Sequence, residues 1–303
     1  MVRKQAKRLP GLARNAARSA DRAQWEADVG LYTGRQGSWY DAFRFMGHTG
    51  KSAGLLLCFF GATLALGKAD SAGPTTGSAA VSARPATVIG FVGGFVKPDA
   101  RAHSTVQLAE HLRTAYPTGV NVRVFENHHG DQAYQEILRH LDVDHDGSLS
   151  QEEKRQARII IYGHSWGASE TVTLARKLEK AGIPVLLTIQ VDSVSKSGQN
   201  DAIIPANVAE AVNFYQPHGL VHGQAQIRAA DPKRTDIVGN FRFDYSENPI
   251  SCEGYPWFNH VFMRPHTEIE CDPKVWNQVE ALIQSKLSPE VRAAITAGPV
   301  RGH

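Results

Sequence analysis

A serine between two glycines is the residue of this sequence best placed to act as a nucleophile. Ser165 lies in the run Gly-His-Ser-Trp-Gly, with the β-branched run Ile159–Ile161 shortly before it and a helical pattern over 170–180 after it. A continuous apolar run of this kind is typical of a strand buried on both faces. A sharp turn into the helix would lift the serine hydroxyl above the sheet edge, near the positive end of the helix dipole. The glycines suit such a turn, because a Cβ there would collide with neighbouring backbone.

A strand, a G-x-S-x-G run and a helix together are the context of a nucleophile elbow. In this respect residues 158–169 resemble the α/β-hydrolase superfamily. The resemblance implies a triad in the chain order Ser, acid, His, and an oxyanion hole of two backbone N–H groups. One N–H would come from Trp166, directly after the nucleophile. The other would come from the glycine-rich loop after the strand predicted over 86–92. We assign it to Phe95, with Gly94 as the alternative.

The acid and the base of the implied triad are expected later in the chain. Asp192 ends the buried strand predicted over 183–191, where some hydrolases of the superfamily carry the acid. The alternative acids are Asp231, Asp236 and Asp244. His266 shortly precedes an Asp-Pro pair that starts the last predicted helix. In resembling hydrolases the base lies on the loop before the closing helix, which favours His266, with His260 as the alternative.

A second motif comes directly before the nucleophile strand. Residues 142–153 match D-x-[DN]-x-[DN]-G-x5-E at every position. Such a loop turns alternate side chains toward one hard cation, and its glycine permits the sharp bend. The stretch resembles EF-hand and dockerin-type calcium loops, which implies a ligand set of Asp142, Asp144, Asp146, Ser148 and Glu153. Because we find a single loop, we expect a structural Ca²⁺ clamp between helix and strand rather than a switch. The alternative is a solvated acidic loop that caps a helix.

The N-terminal region differs in composition from the rest of the chain. Residues 1–45 carry nine Lys/Arg against four Asp/Glu, a net of +5 in a chain of net +3, so the remainder is slightly acidic. Nothing in that remainder suggests nucleic-acid binding. Residues 53–66 form an uncharged apolar run that suits a signal peptide and is short for a membrane span. We expect a basic leader or over-extended start over 1–45, a signal peptide or membrane anchor over 46–72, and a flexible linker over 73–85.

Cysteine usage points to export in the same way. If the leader is removed, Cys252 and Cys271 are the two cysteines that remain. Two cysteines in an exported chain most simply form a disulfide, which here would close the loop that carries both candidate bases. Two free buried thiols are the alternative.

The region between acid and base is less regular. A short helix is expected over 201–211, after Pro205, and a further strand over 212–216. Residues 219–243 alternate only in patches, which is consistent with strands or with a flap beside the site. The tail over 288–303 has little apolar content.

These patterns predict one α/β domain over 86–287. With 42% hydrophobic and 21% charged residues, the chain has the composition of a soluble globular protein. We expect a minimal α/β-hydrolase-like fold, a mostly parallel sheet with helices on both faces and the calcium loop inserted before the nucleophile strand. The expected function is an exported serine hydrolase, periplasmic or secreted, that acts on a small-molecule or lipid-like acyl substrate without an organic cofactor. Membrane contact is expected only through residues 53–66. The alternative is a non-catalytic calcium-binding module on this scaffold.

Overall fold

The structure, a computed structural model, describes residues 84–255, 259, 261 and 263–287. The predictions for residues 1–83, for His260 and for the tail over 288–303 lie outside these described residues. None of the helices within the described ranges is long and apolar enough to cross a membrane.

Parallel strands form the centre of the domain. The strands are β1 Ala86–Val92, β2 Val120–Glu126, β3 Ile159–His164, β4 Val185–Val191, β5 Ile203–Ile204, β6 Val208–Tyr215, β7 Arg228–Ala229 and β8 Asp236–Arg242. Six of them form one sheet in the order β2-β1-β3-β4-β6-β8, in which every pairing is parallel. β5 and β7 pair separately. The mostly parallel sheet confirms the predicted α/β class.

Helices cover both faces of the sheet. They are α1 Ser104–Ala115, α2 Gly130–Leu141, α3 Gln151–Arg155, α4 Trp166–Lys180, α5 Arg264–Cys271 and α6 Pro273–Lys286. The consecutive isoleucines of β3 show how one strand serves two cores, because successive side chains of a strand point to opposite faces. Ile160 packs in a cluster with residues of α1 and α6. Ile159 and Ile161 pack in the other cluster, with residues of α2 and α4. This arrangement is consistent with an α/β-hydrolase-like fold.

The helix predicted over 201–211 is wrong. That stretch contains the two-residue strand β5 and the first half of β6. Val208 and Ala211 are fully buried in the sheet core, and Ala211 pairs in register with Thr188 of β4. Pairing with a central strand therefore overrides the local helical preference. The strand predicted over 212–216 corresponds to the second half of β6, and the irregular region over 219–243 contains β7 and the edge strand β8.

Candidate active site

Ser165 is the single residue between β3 and α4. Its backbone angles are φ 58° and ψ −126°, and α4 begins at the next residue, four positions earlier than the sequence pattern predicted. The flanking glycines are required by close packing. A Cβ on Gly163 would lie 2.6 Å from the backbone of Gly167, and a Cβ on Gly167 would lie 2.2 Å from the carbonyl oxygen of Phe91. The turn is thus as sharp as the sequence predicted.

Strained backbone occurs at two of the predicted catalytic residues and within the predicted calcium loop. The described non-glycine residues with positive φ are His145, Ser165 and Asp192. Such conformations cost of the order of 1–3 kcal/mol each and cluster at functional sites. Ser165 and Asp192 are the predicted nucleophile and acid, and His145 lies in the predicted calcium loop.

His266 and Asp192 are hydrogen-bonded although 74 residues separate them in the sequence. Nδ1 of His266 lies 2.6 Å from Oδ2 of Asp192, and both side chains are buried. Asp192 also accepts hydrogen bonds from the backbone N–H and Nε2 of Gln216 and from the N–H of Gly223. Burial alone would raise the pKa of Asp192, but the hydrogen bonds from His266 and Gln216 hold it below its ordinary value. An ionised Asp192 places the hydrogen of the imidazole on Nδ1 and leaves Nε2 free to accept a proton.

His266 lies in a helix rather than on the predicted loop. It is the third residue of α5, a short helix that begins with an Arg-Pro pair and precedes the closing helix α6. Its ring centroid is 4.5 Å from that of His164, the residue before Ser165. The predicted base therefore lies next to the strand-to-helix turn that carries Ser165. No hydrogen bond joins Ser165 Oγ to His266 in the described part of the chain, and catalytic hydrogen bonds are often longer in a free enzyme.

The imidazole of His266 pairs with Asp192 rather than with any of the alternative acids. Asp244 instead bonds His218 and Arg242, and Asp231 accepts hydrogen bonds from its own turn. Asp236 opens the edge strand β8.

The loop that carries Phe95 lies against the nucleophile. A Cβ on Gly93 would lie 2.8 Å from Cβ of Ser165. Trp166 is the first residue of α4, so its N–H is one of those that a helix leaves without an intrahelical partner. The Phe95 ring is 89% exposed and meets the Trp166 ring edge-on, with 5.8 Å between centroids. Both predicted oxyanion donors thus belong to segments that adjoin Ser165.

Sequence reasoning missed a largely buried cluster around Glu270, one helical turn after the predicted base. Glu270 lies one helical turn after His266 in α5, and its Oε1 is 2.5 Å from Nδ1 of His103, a residue 167 positions away. Its Oε2 is 3.4 Å from Nδ1 of His164. Burial lowers the pKa of His164 to about 4, so this imidazole is neutral near neutral pH. No local pattern could have found this cluster, because its members come from three separate segments.

The predicted calcium loop brings three carboxylates together. Ligand atoms of Asp142, Asp144 and Asp146 lie within 4.8 Å of one another. Ser148 donates from its N–H and Oγ to Asp146. Glu153 is turned toward the entry of the loop, where it accepts hydrogen bonds from the N–H of Val143 and from Ser150, and it completes a capping box on α3. These hydrogen bonds lower the pKa of Glu153 to about 2.

The donor set of this loop fits a hard cation. Carboxylate and carbonyl oxygens are the ligands that Ca²⁺ takes in proteins. Oδ1 of Asp142 is buried and has no hydrogen-bond partner within the described residues. Gly147 adopts φ 81° at the sixth position of the loop, where the motif requires a bend.

Cys252 and Cys271 lie at bonding distance from each other. Their Cα atoms are 5.8 Å apart, in the usual range for a disulfide. Cys271 is the last residue of α5, the helix that carries His266. A bond here would attach the end of that helix to the loop before it.

Comparison with solved structures gives remote matches. No model of a known family and no curated protein matches the sequence. An uncharacterized protein from Pseudomonas aeruginosa aligns at 10% identity with a TM-score of 0.43, over 70% of this chain and 48% of that one, so the match spans about half of that protein. An arylesterase aligns at 10% identity with a TM-score of 0.42, over 67% of this chain and 76% of that one. A cutinase-like protein from Cryptococcus sp. aligns at 13% identity with a TM-score of 0.36, over 68% and 97%.

Proposed function

We propose that the protein is a serine hydrolase that cleaves an ester or a related acyl substrate with Ser165, His266 and Asp192. One observation carries the proposal. A buried imidazole, hydrogen-bonded to a buried carboxylate, lies beside the residue that precedes a serine in a strained strand-to-helix turn. Nucleophile, base and orienting acid in this relation are what acyl transfer to a serine requires.

In the proposed reaction, Ser165 Oγ attacks the acyl carbon while its proton passes to Nε2 of His266. Asp192 holds the Nδ1–H and stabilises the imidazolium that forms. The C–O or C–S bond of the substrate then breaks, and the leaving group takes the proton from His266. Water repeats the sequence on the acyl-enzyme and releases the acid. The N–H groups of Phe95 and Trp166 would bind the oxyanion, each contributing roughly 3 kcal/mol to lowering the barrier.

Labelling by a fluorophosphonate probe tests this function. The wild-type protein should be labelled covalently and should hydrolyse p-nitrophenyl butyrate. Ser165→Ala should abolish labelling and lower kcat by on the order of 10⁴-fold or more, because it removes the attacking oxygen. Ser169→Ala is the matched control, because the Ser169 hydroxyl lies in the first turn of α4, directly after Ser165, and donates to Oε1 of Gln199. That variant should be labelled as the wild type is.

Absence of labelling in the wild-type protein with Ca²⁺ present would favour the other candidate, a non-catalytic calcium-binding module. Labelling that persists in Ser165→Ala would show that another residue is the nucleophile. A series of p-nitrophenyl esters of increasing acyl length would then define the substrate class.

We also propose that Ca²⁺ binds the loop over 142–153 as a structural ion. Asp142, Asp144 and Asp146 would supply carboxylate oxygens and Ser148 its carbonyl. Glu153 would supply the closing carboxylate, for which it must exchange its hydrogen bonds with Val143 and Ser150 for the ion. The ion would neutralise the gathered negative charge and takes no part in the proposed reaction. Export through residues 53–66 belongs to the same proposal, because extracellular calcium is abundant enough to fill a weak site.

A further inference from the structure

The loop after β1 is a tight turn, and the orientation of its central peptide bears on the proposed oxyanion hole. The N–H of Val96 donates to the carbonyl of Gly93 at 3.1 Å, and Gly94 adopts φ 49° within the turn. Turns of the same outline differ by rotation of the central peptide, which here joins Gly94 to Phe95. That peptide carries the N–H assigned to the oxyanion hole. Its orientation therefore decides whether a donor or a carbonyl oxygen faces the site.

Asn127 fixes the orientation of this peptide. Its Nδ2 donates to the carbonyl oxygen of Gly94 at 2.5 Å, and the residue is only 4% exposed. The C=O and N–H groups of a trans peptide point in opposite directions. Asn127 follows β2, and the order β2-β1-β3 places β2 and β3 on opposite sides of β1. The Gly94 carbonyl is thus drawn toward β2, which directs the N–H of Phe95 toward β3 and Ser165.

Asn127 is itself held by the helix that follows the nucleophile. The Nζ of Lys196, in the loop after β4, donates to the backbone carbonyl of Asn127. The same Nζ lies 2.8 Å from Oε2 of Glu170, a buried residue in the first turns of α4. The peptide between Gly94 and Phe95 is therefore linked, through Asn127, Lys196 and Glu170, to the helix that begins directly after Ser165.

We propose that Asn127 is a positioning residue that keeps the Phe95 N–H directed toward the oxyanion. The inference rests on the proposed function and adds to it the residue that prepares the oxyanion hole. Asn127 touches the Gly94 carbonyl rather than the substrate. Without its amide donor, the central peptide can rotate and turn a carbonyl oxygen toward the developing negative charge.

Asn127→Asp is the sharpest test, because it keeps the size of the side chain and replaces the donor with an oxygen that repels the Gly94 carbonyl. Removal of one oxyanion donor typically costs 10²–10³ in kcat, and a released peptide retains part of its function, so we expect a loss of about 10- to 100-fold. KM should stay within about twofold, since the hole acts on the transition state. The affinity for a boronic acid, which forms a tetrahedral adduct on the serine, should fall in parallel with kcat.

Two further variants separate positioning from stability. Asn127→Ala removes the donor without adding charge and should also lower kcat and boronic-acid affinity. Asn207→Ala is the matched control, because Nδ2 of Asn207 also donates to backbone carbonyls, those of Ala175 and Ile183, at the opposite edge of the sheet. This control should lower the Tm and leave kcat unchanged.

The outcomes distinguish the two proposals. An active wild-type protein whose kcat is unchanged in both Asn127 variants overturns the positioning role. So does a loss of kcat in Asn207→Ala as large as that in the Asn127 variants, because the effect would then follow general stability. A wild-type protein that neither hydrolyses esters nor reacts with the fluorophosphonate overturns the proposed function, and this inference with it.

Discussion

At the scale of single residues, two adjacent imidazoles have opposite surroundings. His266 is hydrogen-bonded to the carboxylate of Asp192. His164 is enclosed, and its Nε2 is buried without a hydrogen-bond partner among the described residues. Glu270, 3.4 Å from Nδ1 of His164, does not offset the cost of burying a charge there. In the proposed reaction, a neutral His164 would avoid a like-charge repulsion when His266 accepts the proton of Ser165.

The burial of His164 predicts a loss of stability in mild acid. Its pKa is lowered from 6.5 to about 4 in the folded protein, so the unfolded chain binds the proton more tightly. The free energy of unfolding should therefore be unaffected by this group above pH 6.5 and fall as the pH drops toward 4, by roughly 3 kcal/mol in all. In urea unfolding experiments, the free energy of unfolding of His164→Gln should depend less steeply on pH in that window than that of the wild type.

His128→Gln provides the control for that measurement, because His128 is largely exposed at the end of β2. In this variant the fall in stability that His164 causes between pH 6.5 and 4 should persist. Identical pH profiles for the wild type and His164→Gln would contradict the neutral state of His164.

At the scale of elements, the acidic loop connects α2 to the nucleophile strand through the five-residue helix α3. The three gathered carboxylates repel one another when no cation is present, whereas the Glu153 capping box stabilises the start of α3. A bound ion would remove the repulsion and stiffen the segment that leads into β3.

Calcium should therefore raise the Tm. For a site with a Kd near 10⁻⁴–10⁻³ M, 10 mM Ca²⁺ would stabilise the fold by about 1.4–2.7 kcal/mol, or roughly 3–10 °C for a domain of this size. Thermal unfolding in EDTA, Mg²⁺ and Ca²⁺ measures this shift. Asp142→Asn should abolish it, and Asp231→Asn, a change in an unrelated turn, should preserve it. A Tm that does not respond to saturating Ca²⁺ would contradict the site.

The elements that the sequence predicted well are those with a strong local pattern. β1 has the predicted bounds, 86–92, because it is buried at every position and its apolar run is continuous. The start of β6 was not predicted, since residues 208–211 mix buried and exposed side chains and depend on β4 for their conformation. His266 was expected on a loop, but the Arg-Pro pair before it begins the short helix α5. The local sequence pattern is thus sufficient to predict a continuously apolar, buried strand. It is insufficient where pairing with a distant segment decides the secondary structure.

At the scale of the whole molecule, the site is assembled by contacts between distant segments. The sharp turn at Ser165 could be predicted because strand, turn and helix are contiguous. Asp192 and His266 were candidates because the resemblance implies the chain order Ser, acid, His. The sequence could not predict the contacts of Gln216, Glu270 and Asn127, because these contacts depend on which loops meet at the carboxyl ends of the strands. A parallel sheet brings those ends to one edge, and the contacts within that edge are set by tertiary packing.

The proposed bond between Cys252 and Cys271 acts on the whole molecule, because a disulfide mainly restricts the unfolded chain. It would join residues with a sequence separation of 19, and closing a loop of that length raises the free energy of unfolding by about 3 kcal/mol. Cys252→Ser/Cys271→Ser should therefore lower the Tm by roughly 6–12 °C, and the wild type treated with reductant should show the same fall. Mass spectrometry after alkylation of the denatured chain checks the bond directly. Reduction should add two labels, and two labels at these cysteines before reduction would show free thiols.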